Sequence, residues 1–358
     1  MSTVLSPDSA CSAQEAGLRY VDTSQPGFTR HRAGTGFFYR DTNGNRITSK
    51  RDLERIRRIV IPPAWNEVWI CPFANGHVQA TGRDERGRKQ YRYHEDWRNH
   101  RETTKFERLA EFASALPLIR TAVDKQLRRP GLPREKAIAT VVNLLEKTLI
   151  RIGNEHYARE NRSFGLTTLR NRHVDVNGST IAFAFRGKSG VLHAVDIADR
   201  RLARIIRQMQ ELPGQLLVQY VDEDGQHQPV TSDDVNQFLE DITGKHFTAK
   251  DFRTWAGTVL AASELAGLPP ADSPTGRERQ IVTVIDTVAQ QLGNTRAVCR
   301  ACYVHPDVLE AHLQGEIIAT GHACSGPSQT SPIGERDLSE TEQAVLKLLE
   351  LRLPQKSM

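Results

Sequence analysis

The sequence is poor in cysteine and has no long hydrophobic run. Its 358 residues include five cysteines, an odd number at irregular spacing, which argues against a disulfide framework. No apolar stretch approaches the roughly 18 residues that a membrane helix needs, and the polar start lacks the charged and then apolar order of a signal peptide. These absences predict a cytoplasmic protein with reduced thiols.

The sequence also lacks the usual motifs for nucleotides and metals. It contains no GxxxxGK[ST] phosphate loop and no carboxylate cluster that could hold paired metal ions. Cys299 and Cys302 precede His305, but no second Cys/His pair follows at zinc-finger spacing, so we interpret the cysteines as neighbours on one helical turn. We therefore expect no cofactor, no nucleotide and no metal.

Charge is distributed unevenly along the chain. Residues 27–108 contain 18 Lys and Arg against 10 Asp and Glu, a net charge of +8, whereas the whole chain has only +5. A basic segment on a nearly neutral remainder is typical of a surface that binds a polyanion. A solvated basic face would give the same count.

The length suggests about two domains. After a small, polar tail over residues 1–20, residues 21–98 contain short β-like segments interrupted by one basic helical stretch, SKRDLERIRRI. The last two of these segments flank a Gly-containing turn and predict a hairpin. The β-like segments are GFFYRD, EVWICPF, HVQATG and KQYRYH.

From Trp97 onward helical patterns dominate, which predicts a larger helical domain over residues 99–320. EKAIATVVNLLEKTLIRI, residues 197–212 and residues 248–268 repeat apolar residues at helical spacing. HVDV followed by TIAFAFRGKSGVLHAV predicts a small sheet. Residues 321–358 are expected to hold a Ser/Pro/Gly linker (325–334) and a short terminal helix. A β-rich domain followed by a helical domain with a small sheet predicts the α+β fold class.

Four clusters in the helical domain place polar or cationic residues beside patterned apolar ones. Each is weak alone, because a lone arginine on a helix is usually a surface ion pair and a lone tyrosine usually a core residue. The clusters are Arg151-Ile-Gly-Asn-Glu155, Phe185-Arg-Gly-Lys-Ser-Gly190, Thr248-Ala-Lys-Asp-Phe-Arg-Thr-Trp255 and Leu292-Gly-Asn-Thr-Arg296 through His305.

Taken in order, the clusters give Arg, Lys, Arg, Asn and Tyr, and this order resembles the type IB DNA topoisomerases of the small bacterial and poxvirus-like branch. The resemblance covers about four fifths of the chain and includes IPPAW and GRDERGRKQYRYH. It implies a catalytic domain like that of tyrosine recombinases and a clamp around duplex DNA, with residues 97–103 as the hinge. It also implies a nucleoid-associated enzyme, expected as a monomer, which relaxes supercoiled DNA without ATP or metal.

Carried over by position, the resemblance makes Tyr303 a nucleophile that forms a transient 3′-phosphotyrosyl link. Lys188 would protonate the leaving 5′-oxygen, because an alkoxide is a poor leaving group. Guanidinium and amide groups can stabilise charge on the other phosphate oxygens. Many relatives have His in place of the Asn. The residues expected around the scissile phosphate are Arg151, Lys188, Arg253 and Asn294.

In the first domain, Gln90, Tyr91 and Tyr93 resemble DNA-contacting residues of the family. Glutamine can read adenine, and tyrosine can touch phosphates or thymine methyl groups. Alternation along the strand places both tyrosines on one face, so the rival interpretation is that this face packs into the core. The residues expected to meet phosphates are Arg83, Arg86, Arg88, Lys89 and Arg92.

Two alternatives remain at this point. A tyrosine site-specific recombinase shares the residue order, but recombinases typically carry His-x-x-Arg where this chain has Lys250-Asp-Phe-Arg253, and His in place of Asn294. Their DNA-binding domain is usually helical, unlike the β-rich leader here. A catalytically silent DNA-binding protein of the same fold would leave the set of reactive side chains unexplained.

Overall fold

A computed structural model describes residues 12–34, 36–85, 87–271, 273–316 and 336–352. The chain divides into two compact units, one up to Lys105 and one from Phe106 onward. Both contain helices and antiparallel sheets, so the mixed α+β class is confirmed. Within the described ranges, no helix combines the length and apolar character needed to cross a bilayer.

The first unit contains a five-stranded antiparallel sheet and helix α1 (Lys50–Arg58). Its strands follow the order β2-β1-β3-β4-β5. A small core of Ile56, Val68, Ile70 and Ala80 lies between the helix and the sheet. The strands are β1 (Phe28–Ala33), β2 (Gly36–Arg40), β3 (Asn66–Ile70), β4 (Val78–Arg83) and β5 (Lys89–Tyr93).

The predicted hairpin is confirmed as β4 and β5. Thr81 pairs with Tyr91 and Gly82 with Gln90, and the Asp84 carboxylate accepts from the backbone N–H of Arg88 at the turn. Strand β1 was missed by the sequence analysis. Its FTRHRA sequence has apolar residues only at its two ends and therefore lacks the alternation that marks a half-buried strand.

Residues 97–103, which were expected to form a linker that acts as a hinge, are helical. These residues lie inside a 33-residue helix, α2 (Glu95–Leu127). The stretch contains no glycine or proline before Pro117, so nothing in it interrupts a helix that begins with Glu95 and Asp96.

The second unit is mainly helical and contains a three-stranded sheet, β6-β7-β8, and a two-stranded one. One large hydrophobic core joins its elements. Its strands are β6 (Val174–Asn177), β7 (Thr180–Arg186), β8 (Leu192–Ala198), β9 (Gln219–Val221) and β10 (His227–Pro229). Its helices after α2 are α3 (Arg134–Thr148), α4 (Glu155–Asn161), α5 (Arg200–Gln210), α6 (Ser232–Thr243), α7 (Ala249–Ala266), α8 (Pro274–Leu292), α9 (Arg296–Cys302), α10 (Pro306–Gln314) and α11 (Glu340–Arg352).

Two expected helices are shorter than their apolar patterns. Helix α3 ends at Thr148 because Leu149 adopts a left-handed conformation with φ 55°, so the chain leaves the helix before Arg151. Helix α5 begins at Arg200, where the Asp199 side chain caps it, and Ile197 belongs to strand β8. Apolar periodicity continues past both boundaries because the flanking residues also face the core.

The terminal helix α11 is confirmed and docks on the second unit. Ser339 and Glu342 exchange the expected capping hydrogen bonds. The Glu342 carboxylate also accepts from Arg120 at 2.7 Å and from the indole N–H of Trp255 at 3.1 Å. Val345 and Leu349 are buried in the main core. The predicted linker at residues 325–334 lies outside the described residues.

We expect Glu342→Ala to lower the free energy of unfolding by about 3 kcal/mol, because it leaves the buried Arg120 without one of its carboxylates. Burial raises the pKa of Glu342, but Arg120 outweighs this and holds that pKa below its ordinary 4.5. The stabilisation is therefore fully present above pH 4.5 and is lost as pH falls through the lower folded value.

Urea unfolding, followed by helical circular dichroism, measures the effect. Glu350→Ala on the same helix, at an exposed position, is the matched control and should change stability by less than about 0.5 kcal/mol. Equal losses in the two variants would show that the Glu342 contacts do not hold the helix.

Candidate active site

Arg253 occupies a buried position in the first turns of helix α7. The helix begins with the expected capping box, in which the Asp251 carboxylate accepts from the Thr248 backbone at 2.7 Å. The Arg253 side chain is only 4% exposed. Its guanidinium donates to the carbonyl of Leu149 and, at 2.6 Å, to the carbonyl of Leu292. The left-handed turn at Leu149 supplies one of these acceptors.

The surroundings of Arg253 destabilise its protonated form. Burial, followed by the nearby charge of Arg151, lowers the pKa of Arg253 to about 10, although its interactions with the Tyr303 side chain oppose this. The guanidinium remains protonated at neutral pH. Its central carbon lies 5.1 Å from the centre of the Tyr303 ring, within the range of a cation–π contact.

Tyr303 directly follows helix α9. Its backbone N–H donates to the carbonyl of Cys299 at 2.9 Å, and its own carbonyl accepts from the Thr258 hydroxyl of helix α7 at 3.4 Å. Thr258 also accepts from the backbone N–H of His305 at 3.1 Å. The tyrosine backbone is thus held by the same helix that carries Arg253.

Arg151 and Asn294 contact each other directly. The Arg151 guanidinium donates to the Asn294 side-chain oxygen at 2.5 Å and to the carbonyl of Gly293 at 3.3 Å. This fixes the amide orientation, because the oxygen faces the arginine and the NH₂ group is turned away. That NH₂ group donates to the carbonyl of Leu292 at 3.3 Å.

Lys188 lies on the turn between strands β7 and β8 and is exposed. Ser189 beside it has φ 62°, a left-handed conformation. Contacts between side chains join Arg151 to Asn294 and Arg253 to Tyr303, and the Leu292 carbonyl accepts from both Arg253 and Asn294. Four of the five expected residues are therefore neighbours, whereas none of the hydrogen bonds and ring contacts described above involves Lys188.

His193 and the carbonyls of Leu149 and Leu292 were not predicted from the sequence. His193 packs against the backbone of both Gly187 and Gly293, next to Lys188 and Asn294. Burial and then the charges of Arg151 and Arg253 lower the pKa of His193. The only signal in the sequence was a glycine before each of two expected site residues. Backbone acceptors leave no signal, since any residue can supply them.

Cys299 and Cys302 lie on one turn of helix α9, as expected. Cys299 is buried, and burial raises its pKa to about 11, so the reactive thiolate is scarce at neutral pH.

In the first unit, the two hairpin tyrosines face solvent. Tyr91 is 43% exposed and Tyr93 is 40% exposed, and their rings stack with centres 5.8 Å apart. The Lys89 ammonium lies 5.5 Å from the Tyr91 ring. The rival interpretation, in which this face packs into the core, is therefore wrong.

Other residues of the hairpin are held by local contacts. Asp84 accepts from both Gln90 and Arg88, and Arg83 pairs with Glu67. Arg92 alternates with the tyrosines and lies 6.0 Å from the Trp65 ring, so it points to the opposite face from them. Arg86 lies outside the described residues.

Comparison with known proteins gives consistent matches in both units. Residues 94–319 match the model of the catalytic core of eukaryotic DNA topoisomerase I, and residues 36–84 match that of the N-terminal domain of bacterial DNA topoisomerase IB. The chain is 32% identical to DNA topoisomerase 1B of Acanthamoeba polyphaga mimivirus over 293 residues, 80% of this chain and 87% of the viral protein. It is 22% identical to DNA topoisomerase 1B of Vaccinia virus over 239 residues, 64% of this chain and 71% of that protein. The chain therefore belongs to the type IB DNA topoisomerases.

Proposed function

We propose that this enzyme relaxes supercoiled duplex DNA by a transient single-strand break in which Tyr303 becomes joined to the 3′ phosphate. The observation that carries the proposal is the convergence of Arg151, Arg253, Asn294 and Tyr303 through direct contacts and the shared Leu292 carbonyl. A tyrosine beside two arginines and an amide is suited to attack on a phosphodiester.

A nearby guanidinium makes the Tyr303 hydroxyl a better nucleophile. A phenol has a pKa near ~10 and is a poor nucleophile at neutral pH. The Arg253 guanidinium next to the Tyr303 ring favours the phenolate and the charge that develops during attack. Because Arg253 is buried and close to Arg151, an incoming phosphate also relieves the repulsion between the two cations.

The second arginine and the amide are arranged to receive the phosphate. Arg151 holds the Asn294 oxygen, so the amide presents only its NH₂ group to a ligand. In the free enzyme the NH₂ group and the guanidiniums bond to backbone carbonyls, and we propose that phosphate oxygens replace some of these acceptors. The pentavalent transition state concentrates charge on those oxygens.

Lys188 completes the reaction as the general acid. The Tyr303 hydroxyl loses its proton to water and its oxygen attacks phosphorus, the bond from phosphorus to the 5′-oxygen breaks, and the Lys188 ammonium gives its proton to that oxygen and regains one from water. One phosphodiester replaces another, so resealing is the reverse attack by the 5′-hydroxyl and needs no ATP, nucleotide or metal. Rotation of the free end between the two steps releases supercoils.

We propose that the basic first unit contacts the same duplex, through the face of the β4–β5 hairpin that bears Tyr91 and Tyr93, so that the units act as a clamp. Lys89 shares this face, and Arg83, Arg86 and Arg88 remain candidates for DNA contact, whereas Gln90 and Arg92 alternate with the tyrosines and would need a contact from the opposite face. One chain supplies every proposed catalytic residue, which supports a monomer. Its DNA substrate supports a nucleoid-associated enzyme. The family found by comparison favours a topoisomerase over the recombinase and over a silent DNA-binding protein.

Tyr303→Phe should abolish relaxation of supercoiled plasmid, with a loss of at least about 10³-fold, because the ring remains beside Arg253 but the attacking oxygen is gone. The assay uses EDTA without ATP, and an SDS quench traps the covalent complex through the 3′ end of the DNA. Relaxation by the variant, or attachment through the 5′ end, would contradict the assignment.

At position 294 we expect His to retain most of the activity and Ala to lose about 10²-fold in the rate of cleavage, because the site needs a hydrogen-bond donor rather than a titrating group. Asn294→Asp is the matched control. It keeps an acceptor for Arg151 but has no NH₂ group, so it should be as slow as Ala. Equal loss in the His and Ala variants would refute the interpretation.

Lys89→Ala should weaken DNA binding and reduce the slope of log K against log salt by about 1, as expected for one lost phosphate contact. The control is Lys245→Ala, because Lys245 is already paired with Glu111 at 2.8 Å. Binding titrations at several salt concentrations compare the two. An unchanged slope for Lys89→Ala would remove this lysine from the DNA-binding face.

A further inference from the structure

His193 lies at the edge of the site, on the strand that leaves the Lys188 turn. It is partly buried in strand β8 and pairs with Phe185 of strand β7. The imidazole stacks on the Phe185 ring, with centres 5.2 Å apart and planes 11° from parallel. The ring therefore has one fixed orientation relative to the hairpin.

The rest of the imidazole is pressed against two glycines. A Cβ atom placed on Gly187 would lie 2.5 Å from the His193 Cδ2 atom, and one placed on Gly293 would lie 2.7 Å from its Cε1 atom. Both distances are far below van der Waals contact, so a side chain at either position would displace the imidazole. One edge of the ring thus touches the hairpin turn, and another part touches the loop that follows helix α8.

Each of these glycines precedes a proposed reactive residue. Gly187 is followed by Lys188, and Gly293 by Asn294. The carbonyl of Gly293 also accepts from Arg151 at 3.3 Å. His193 is therefore the side chain that joins the exposed lysine turn to the phosphate-binding group.

The charge state of His193 suits a packing role. Burial and the nearby Arg151 and Arg253 lower its pKa, so the ring is neutral at neutral pH and adds no third cation. The Phe185 ring and the two glycine backbones that it packs against carry no charge.

We propose that His193 is a positioning residue, which holds the Lys188 turn against the 293–294 loop so that the lysine reaches the leaving 5′-oxygen. The inference rests on the proposed function, in which Lys188 is the general acid. Removing the ring leaves a gap between the turn and the loop, and displacement of a catalytic group by about 1 Å can cost about 10²-fold in rate.

The test compares oxygen and sulfur leaving groups. His193→Ala should cleave an ordinary DNA substrate about 10²-fold more slowly than wild type in single-turnover assays. With a substrate whose 5′-bridging oxygen is replaced by sulfur, the thiolate leaves without a proton, because a thiol has a pKa of only about 8.5. The defect should then shrink to less than about threefold. In both reactions the Tyr303 oxygen bonds to phosphorus as the bond to the leaving group breaks.

Three variants make the outcome decisive. Lys188→Ala should be rescued by sulfur in the same way; if it is not, the general-acid assignment itself fails, whatever His193 does. His173→Ala is the matched control, because His173 also packs near Phe185 but on the Phe164 side, away from both glycines. Its ratio of sulfur to oxygen rates should equal that of wild type.

His193→Gln, which puts a planar amide of similar reach in place of the imidazole, should recover part of the oxygen rate and also carries the test if the alanine variant folds poorly. If Lys188→Ala is rescued by sulfur but the His193 variants are equally slow on both substrates, or are not slow at all, the positioning role is refuted.

Discussion

The burial of the Arg253 guanidinium is the constraint on which the site depends. A buried charge needs acceptors, and here the backbone provides them through Leu149 and Leu292. Both acceptors lie where a helix ends in a left-handed residue, Leu149 after helix α3 and Gly293 after helix α8. The segments that follow these two helices carry Arg151 and Asn294, and both segments contact the same guanidinium. One buried cation thus organises three segments that are far apart in sequence.

The same burial gives the site its electrostatic character. Burial and the second cation, Arg151, lower the pKa of Arg253 to about 10, so the free enzyme holds two arginines in an unfavourable arrangement. An anion between them removes part of this penalty, and a transition state with more charge on its oxygens removes more. In the proposed mechanism, the repulsion between the two arginines in the free enzyme is therefore offset when they bind the reacting phosphate. Burial and the charges of Arg151 and Arg253 also lower the pKa of the nearby His193.

Helix α11 shows that the catalytic unit extends beyond the residues that the catalytic-core model matches, which end at 319. Through Glu342 it contacts Arg120 of helix α2 and Trp255 of helix α7, only two residues from Arg253. Val345 and Leu349 fill part of the main core. The end of the chain therefore supports the helix that carries the buried arginine, and changes there can reach the site through packing alone.

The sequence alone determined most of the helical and β-like segments, the basic first region and the family, and it predicted the five candidate site residues, because periodicity, charge and ordered motifs are local properties. Tertiary structure decided what local signals cannot carry. It placed residues 97–103 in a helix, turned Tyr91 and Tyr93 to solvent, directed Arg92 away from them and brought His193 between two glycines. It also supplied backbone carbonyls as partners for Arg253. These features depend on contacts between segments distant in sequence. A backbone acceptor, or the space beside a glycine, involves no particular side chain and therefore leaves no pattern in the sequence.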